Sequence, residues 1–221
     1  MKQRRAYQPP STSANWQTYA GAFVRNVYEL LALGYARLSP TGFADAQEEE
    51  ITGALAEAID KVLDDPAAPE WVSLYSLHEE PPIHDRKRKG RRRRRLDLRI
   101  DSSELRPRHR FPFEAKPLGR NHRVGVYLGL KGLGRFVDGR YGRDSASGGM
   151  LGYVQDGEPN VWAGKIGAAM CRRAADLHVA GGCSWQRETI IPQLQHTYRS
   201  MHRRPSVGAS ITIYHCLLQF N

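Results

Sequence analysis

Two short alternating segments restrict this chain more than any other feature. In Leu96-Asp97-Leu98-Arg99-Ile100 the apolar residues fall at every second position, and in Phe111-Pro112-Phe113-Glu114-Ala115-Lys116 they do so again. A period of two is that of a β-strand with one buried face. Phe111, Phe113 and Ala115 are therefore predicted to point into a core, with Glu114 and Lys116 together on the opposite side. Asp97 likewise stands opposite Leu96, Leu98 and Ile100. A turn at Ser102-Ser103 and a long connection would join the segments as a hairpin. Two carboxylates and an amine are then expected to meet on the non-core face of neighbouring strands. Hard oxygen donors of this kind suit Mg²⁺ or Mn²⁺. The competing use of the same residues is a solvated cross-strand ion pair; the apolar flanks and the basic charge nearby favour the first.

That charge is concentrated in one place. The net charge is +10, and residues 86–95 (Arg-Lys-Arg-Lys-Gly-Arg-Arg-Arg-Arg-Arg) carry nine of the 33 basic residues and no acid, which leaves 24 against 23 acidic ones elsewhere. A run of one sign repels itself and is expected to be an extended loop feeding the Asp97 strand. Arg91, Arg92, Arg93, Arg94 and Arg95 there would neutralise backbone phosphates and give salt-sensitive, sequence-independent affinity for nucleic acid. A solvated loop or a nuclear-localisation-like patch would have the same composition.

Asp97 followed by Glu114-Ala115-Lys116 resembles the motif of the PD-(D/E)xK nuclease superfamily, although the proline that often precedes the aspartate is replaced by Arg95-Leu96. The resemblance implies an α/β, restriction-endonuclease-like fold, a central mixed β-sheet flanked by helices, here with an N-terminal helical extension. It implies catalytic roles for Asp97, Glu114 and Lys116, and a Mg²⁺ or Mn²⁺ cofactor held by Asp97, Glu114 and the main-chain carbonyl of Ala115. Lys116 would orient or help deprotonate the attacking water. DNA is implied as substrate more often than RNA, in a cytoplasmic protein acting against foreign DNA, with a homodimer or a larger defence complex left open. In this superfamily an acid on the helix before the sheet sometimes completes the metal site. Glu48 is the best placed of Glu48, Glu49 and Glu50, although first-turn acids are also favoured by the helix dipole alone.

At 221 residues and 40% hydrophobic, the chain has enough apolar surface for one sizeable domain. Residues 1–13 read as a flexible arm and 14–221 as a single nuclease-like domain, with the motif core at about 44–180. An amphipathic helix is predicted over 16–33, and a second behind a capping box at Asp45–Glu48, with the stripe Ile51, Leu55, Ile59 and Val62. Residues 70–77 read as a strand, 124–137 as a helix weakened by glycines, 150–154 as a strand, 161–177 as a helix and 211–220 as a closing strand. Gly125, Gly129, Gly132 and Gly134 are read as close packing or turns rather than a phosphate cradle. No apolar run is long enough to span a bilayer, and the N-terminus lacks a signal-peptide core, so an intracellular protein is expected. Cys171, Cys183 and Cys216, odd in number and in no zinc pattern, are expected to be free thiols. His202 and His215 could reach the site edge or be hydrogen-bonded structural histidines.

Two rival classes use the same residues. One is a non-catalytic nucleic-acid-binding protein working through the arginine run, the other an interaction subunit with a degenerate nuclease fold; a complete Asp97, Glu114 and Lys116 set argues against degeneracy. Replacing Arg91–Arg95 with Gln is expected to weaken nucleic-acid binding and to reduce its salt slope by about 0.9 for each duplex phosphate that is no longer neutralised. A titration of binding against salt measures this, and an unchanged slope would assign the run to a solvated loop or a targeting signal.

Overall fold

The computed structural model describes residues 13–82, 95–104 and 108–221, with side chains from Tyr19 onward. Seven strands form one mixed sheet: β1 (Tyr75–Glu79), β2 (Leu98–Ser102), β3 (His109–Leu118), β4 (Ser147–Val154), β5 (Gln186–Arg187), β6 (Thr197–Arg204) and β7 (Ala209–Gln219), in the order β1-β2-β3-β4-β7-β6-β5. β2 runs antiparallel to β1 and β3, while β3, β4 and β7 are mutually parallel, and β6 and β5 return antiparallel. The fold is thus α/β, as expected. The hairpin of β2 and β3 is present, with Leu98 opposite Phe113 and Ser102 opposite His109.

Helices cover both faces. On one lie α1 (Ser13–Tyr35) and α2 (Glu48–Leu63), whose Val27, Leu31, Ile51, Leu55 and Ile59 pack on Phe111, Phe113, Ala115, Leu151 and Tyr153. The α2 stripe at Ile51, Leu55, Ile59 and Val62 is buried as its spacing predicts. Its cap lies two residues later than expected: Gln47 is the N-cap, and its N–H donates to Glu50 at 2.7 Å. On the other face lie α3 (Val124–Tyr127), α4 (Gly134–Val137) and α5 (Pro159–Arg172), packed on Leu118, Met150, Val154, Ile213 and Leu217. The face of β3 that alternation left outside the first core is therefore roofed by a second one.

Several expectations shift for local reasons. Residues 70–74 form a 3-10 turn and β1 begins at Tyr75. The helix predicted over 124–137 is two single turns, because the glycines close the backbone on itself: a Cβ on Gly132 would stand 2.2 Å from the Tyr127 carbonyl oxygen. β6 was not expected at all. Cys171 and Cys183, expected free, are joined as a disulfide with Cα atoms 4.9 Å apart; Gly181 and Gly182, both at positive φ, return the chain to α5. Cys216 is free and buried. The expected arm falls outside the described residues except at Ser13, which opens α1. Among the described residues no helix is long and apolar enough to cross a membrane.

Phe113, next to the candidate site, packs where β4 has no side chain. Gly149 is its register partner, and a Cβ there would lie 2.2 Å from the ring. Gly149→Ala is expected to cost about 1–3 kcal/mol by overpacking, and Phe113→Leu in the same chain should recover part of it. Equilibrium unfolding of the two single variants and the double variant measures the coupling; additive losses would show that the ring does not set the requirement for glycine.

Candidate active site

β2 and β3 part company at Asp97, and the site lies in the gap. Their ladder begins at Leu98–Phe113, so residues 114–118 of β3 have no β2 partner. A bend at Asp97 turns the chain before β2, sending Leu96 into the second core while Leu98 enters the first. Asp97 therefore precedes the strand instead of alternating along it. Its Oδ2 accepts the main-chain N–H of Ala115 at 2.6 Å, satisfying a donor that the missing strand would have bonded.

Lys116 fills the gap. Its ammonium donates to Glu48 Oε1 at 2.6 Å and to the carbonyl oxygen of Ala115, lies 2.9 Å from Glu114 Oε1, and stands 3.9 Å from Asp97 Oδ2. Glu48 is available because Gln47 and Glu50 form the capping box of α2, leaving the Glu48 carboxylate at the first helical position to turn toward the sheet. Glu114 has no exposed side-chain surface, whereas Glu48 and Asp97 are 24% and 21% exposed, so the cluster opens to solvent on their side. The structure thus brings Asp97, Glu114, the Ala115 carbonyl and Lys116 together and adds Glu48. The open face expected for Glu114 and Lys116 is corrected: both are buried.

Two residues that the sequence did not mark complete the cluster. Arg135 of α4 donates through Nη1 to both Glu114 oxygens, at 2.8 and 2.9 Å, and to the Tyr141 hydroxyl, which in turn donates to the Arg95 carbonyl. Three acids (Glu48, Asp97 and Glu114) face two cations (Lys116 and Arg135), and the balance appears in their proton affinities. Burial raises all three carboxyls, and Glu114, also opposed by Asp97, reaches about 7. Burial alone would lower the Lys116 ammonium, but Glu114, Asp97 and Glu48 outweigh it and hold it above its ordinary value. Lys116 is a committed cation.

The remaining expected residues lie elsewhere. Arg91, Arg92, Arg93 and Arg94 fall outside the described residues. Arg95 is half exposed, pairs with Glu80 at 3.0 Å, and lines an open cleft of about 690 Å³ with His78, Glu80, Arg99 and Arg110; the carboxylate cluster is not part of its wall. His202 and His215 do not reach the cluster. His215 shares a sheet face with Glu114, but one strand, at Met150, separates them. Both rings are fully buried in one hydrogen-bonded chain. The Leu177 carbonyl can only accept, so His202 donates to it through Nδ1 at 2.8 Å. Its Nε2 then accepts from Ser200, whose oxygen accepts from His215 Nε2, both at 2.8 Å, and His215 Nδ1 accepts from the Tyr127 hydroxyl at 3.0 Å. One consistent direction satisfies every group with both rings neutral, in keeping with the lowering of both by burial. These are structural histidines.

The donors around Lys116 are all oxygen, which fits a hard divalent cation, and the ammonium occupies the point on which they converge. As it stands, no group of three or more His, Cys, Asp or Glu side chains among the described residues is arranged to hold a metal ion. Set against protein-family models, curated proteins and solved structures, the chain finds no match.

Opposite pH dependences should reveal the charge balance. Between about pH 4.5 and 7 the folded chain keeps a proton on Glu114 that the unfolded chain has released, so acidification through 7 stabilises the fold at this group. Lys116→Ala leaves three acids facing Arg135 alone; it should cost about 3–5 kcal/mol, and more at pH 8 than at pH 6. Glu114→Gln removes the proton site, so its deficit relative to the parent chain should be larger at pH 6 than at pH 8. Melting temperatures of the three proteins at both pH values test this, and deficits that do not change with pH would contradict a coupled cluster.

Proposed function

We propose that this chain is a metal-dependent nuclease that hydrolyses phosphodiester bonds, DNA before RNA. The observation that carries the reading is the convergence of Glu48, Asp97, Glu114 and the Ala115 carbonyl on the Lys116 ammonium at the divergence of two strands. Support also comes from the element order around it. A helix bearing an acid, a strand, a hairpin with Asp97 and Glu114-Ala115-Lys116, short helices and a parallel strand follow one another as the PD-(D/E)xK resemblance implies. On this reading the fold is restriction-endonuclease-like and the protein acts on foreign DNA in the cytoplasm.

Asp97, Glu114 and the Ala115 carbonyl would hold Mg²⁺ or Mn²⁺, with Glu48 beside them. When bound, such a cation polarises a phosphate and lowers the pKa of a water. The chain's own residues supply the rest. Lys116, whose ammonium the neighbouring acids hold protonated in the absence of a cation, would orient or help deprotonate the water and stabilise the charge that develops on the phosphate oxygens. Glu48, beside those ligands and not one of them, would accept the proton lost by the attacking water. Asp97, through the Ala115 N–H, fixes the strand that carries the other two groups.

A buried ion-pair network in a non-catalytic nucleic-acid-binding protein is the second reading, favoured by the completeness of the hydrogen bonds around Lys116. Linear, circular and single-stranded DNA, and RNA, incubated with the purified chain separate the two. Cleavage should require Mg²⁺ or Mn²⁺ and stop in EDTA, Ca²⁺ should support binding with little turnover, and Asp97→Asn should lose at least about a hundredfold in rate. Robust cleavage in excess chelator rejects the two-carboxylate metal mechanism, and no cleavage of any substrate with metal rejects the nuclease.

A further inference from the structure

Among the described residues Arg135 uses only one of its nitrogens. Nη1 makes all of its hydrogen bonds among the described residues, to both Glu114 oxygens and to Tyr141, while the guanidinium carbon stands 5.1 Å from the Tyr141 ring centre. A structural Arg–carboxylate pair often uses two parallel N–H groups, one to each oxygen. Here a single nitrogen bridges the carboxylate, and the Nε–Nη2 edge, two parallel donors, is left unused on a side chain that is 26% exposed. That edge matches the two non-bridging oxygens of a phosphodiester. The group is also held in place, since Glu114 and Tyr141 fix one end and Tyr141 is itself tied to the Arg95 backbone.

The electrostatics point the same way. Three acids in the cluster repel a phosphate, and Lys116, 8% exposed, is enclosed by them. Arg135 is the more accessible of the two cations that offset them, and so the one an approaching phosphate meets first. Resting on the nuclease reading, we propose that Arg135 is a substrate-binding residue: its Nε–Nη2 edge takes a backbone phosphate of the nucleic acid beside the carboxylate cluster, while Nη1 stays on Glu114. The Tyr141 link to Arg95 then sets that phosphate in register with the strand leading out of the basic run.

The test is binding of a short DNA duplex with Ca²⁺ in place of Mg²⁺, followed by fluorescence anisotropy across a range of salt. Circular dichroism of each protein establishes that it is folded. Arg135→Lys keeps the charge and loses the fork, so affinity should fall about tenfold with the salt slope unchanged. Arg135→Ala should bind more weakly still, and its slope should drop by about 0.9. Tyr141→Phe, which loosens the anchor and leaves every charge in place, should weaken binding about threefold, and it decides the matter with Arg135→Lys if the alanine variant does not fold. If Arg135 serves only as a counter-ion to Glu114, the folded variants will bind as the parent chain does, and the assignment falls while cleavage stands. If the parent chain binds but does not cleave with Mg²⁺, the nuclease reading falls and the Arg135 effect on binding still supports the phosphate contact. A parent chain that binds no nucleic acid overturns both.

Discussion

Gathering three carboxylates, Glu114 fully buried and Glu48 and Asp97 partly so, is tolerable only because the buried Lys116 and the partly buried Arg135 stand among them, and the neighbourhood of Lys116 is organised by that requirement. Removing a carboxylate or an ammonium from water costs several kcal/mol after relaxation, and attraction offsets the cost only where the geometry is close and the remaining hydrogen bonds are made. Each nearby element contributes to that geometry. β2 leaves β3 early, so that Asp97 can take the Ala115 N–H. The cap of α2 is set at Gln47, so that Glu48 can reach the ammonium. α4 places Arg135 on Glu114 from above the second core. The compensation is incomplete, three acids against two bases, and Glu114 holds its proton to about 7. Above that pH the cluster is short of positive charge, and it opens to solvent at Glu48 and Asp97.

A second polar network in the interior is built to the opposite rule. Tyr127, His215, Ser200, His202 and the Leu177 carbonyl form a chain in which each donor has one acceptor and no charge is needed. Such a network ties β6, β7, α3 and the loop after α5 together without exposing anything to solvent. Its histidines are as deeply buried as Glu114, and every polar group in it is satisfied without a charge.

Legibility in the sequence followed the periodicity of apolar residues. The β3 face of Phe111, Phe113 and Ala115, the α2 stripe and the closing strand β7 are as their spacing predicts, since each buries a regular apolar set. β6 escaped because its inward positions are polar. Ser200, His202 and Arg204 are buried while Met201 lies exposed, so the hydrophobic pattern is inverted and only the hydrogen bonds of the folded state make it stable. The stretch 124–137 kept its apolar residues in the core but not its helix, because glycines let the chain close on the Tyr127 carbonyl.

Local spacing determined by itself that Glu114 and Lys116 share a face, that Asp97 comes close to them, and that an acid opens the helix before the sheet. These follow from alternation and from one hairpin, interactions of short range along the chain. Only the tertiary structure decided that this face is roofed by a second core, that Glu48, the acid its spacing singled out, reaches Lys116 rather than serving the helix dipole alone, and that Arg135 and Tyr141 complete the cluster. The physical reason is that burial and charge compensation depend on which groups arrive from distant segments: Lys116 and Glu48 are 68 residues apart, and Tyr141 and Arg95 are 46. No periodicity in a single stretch of sequence encodes an interaction of that kind.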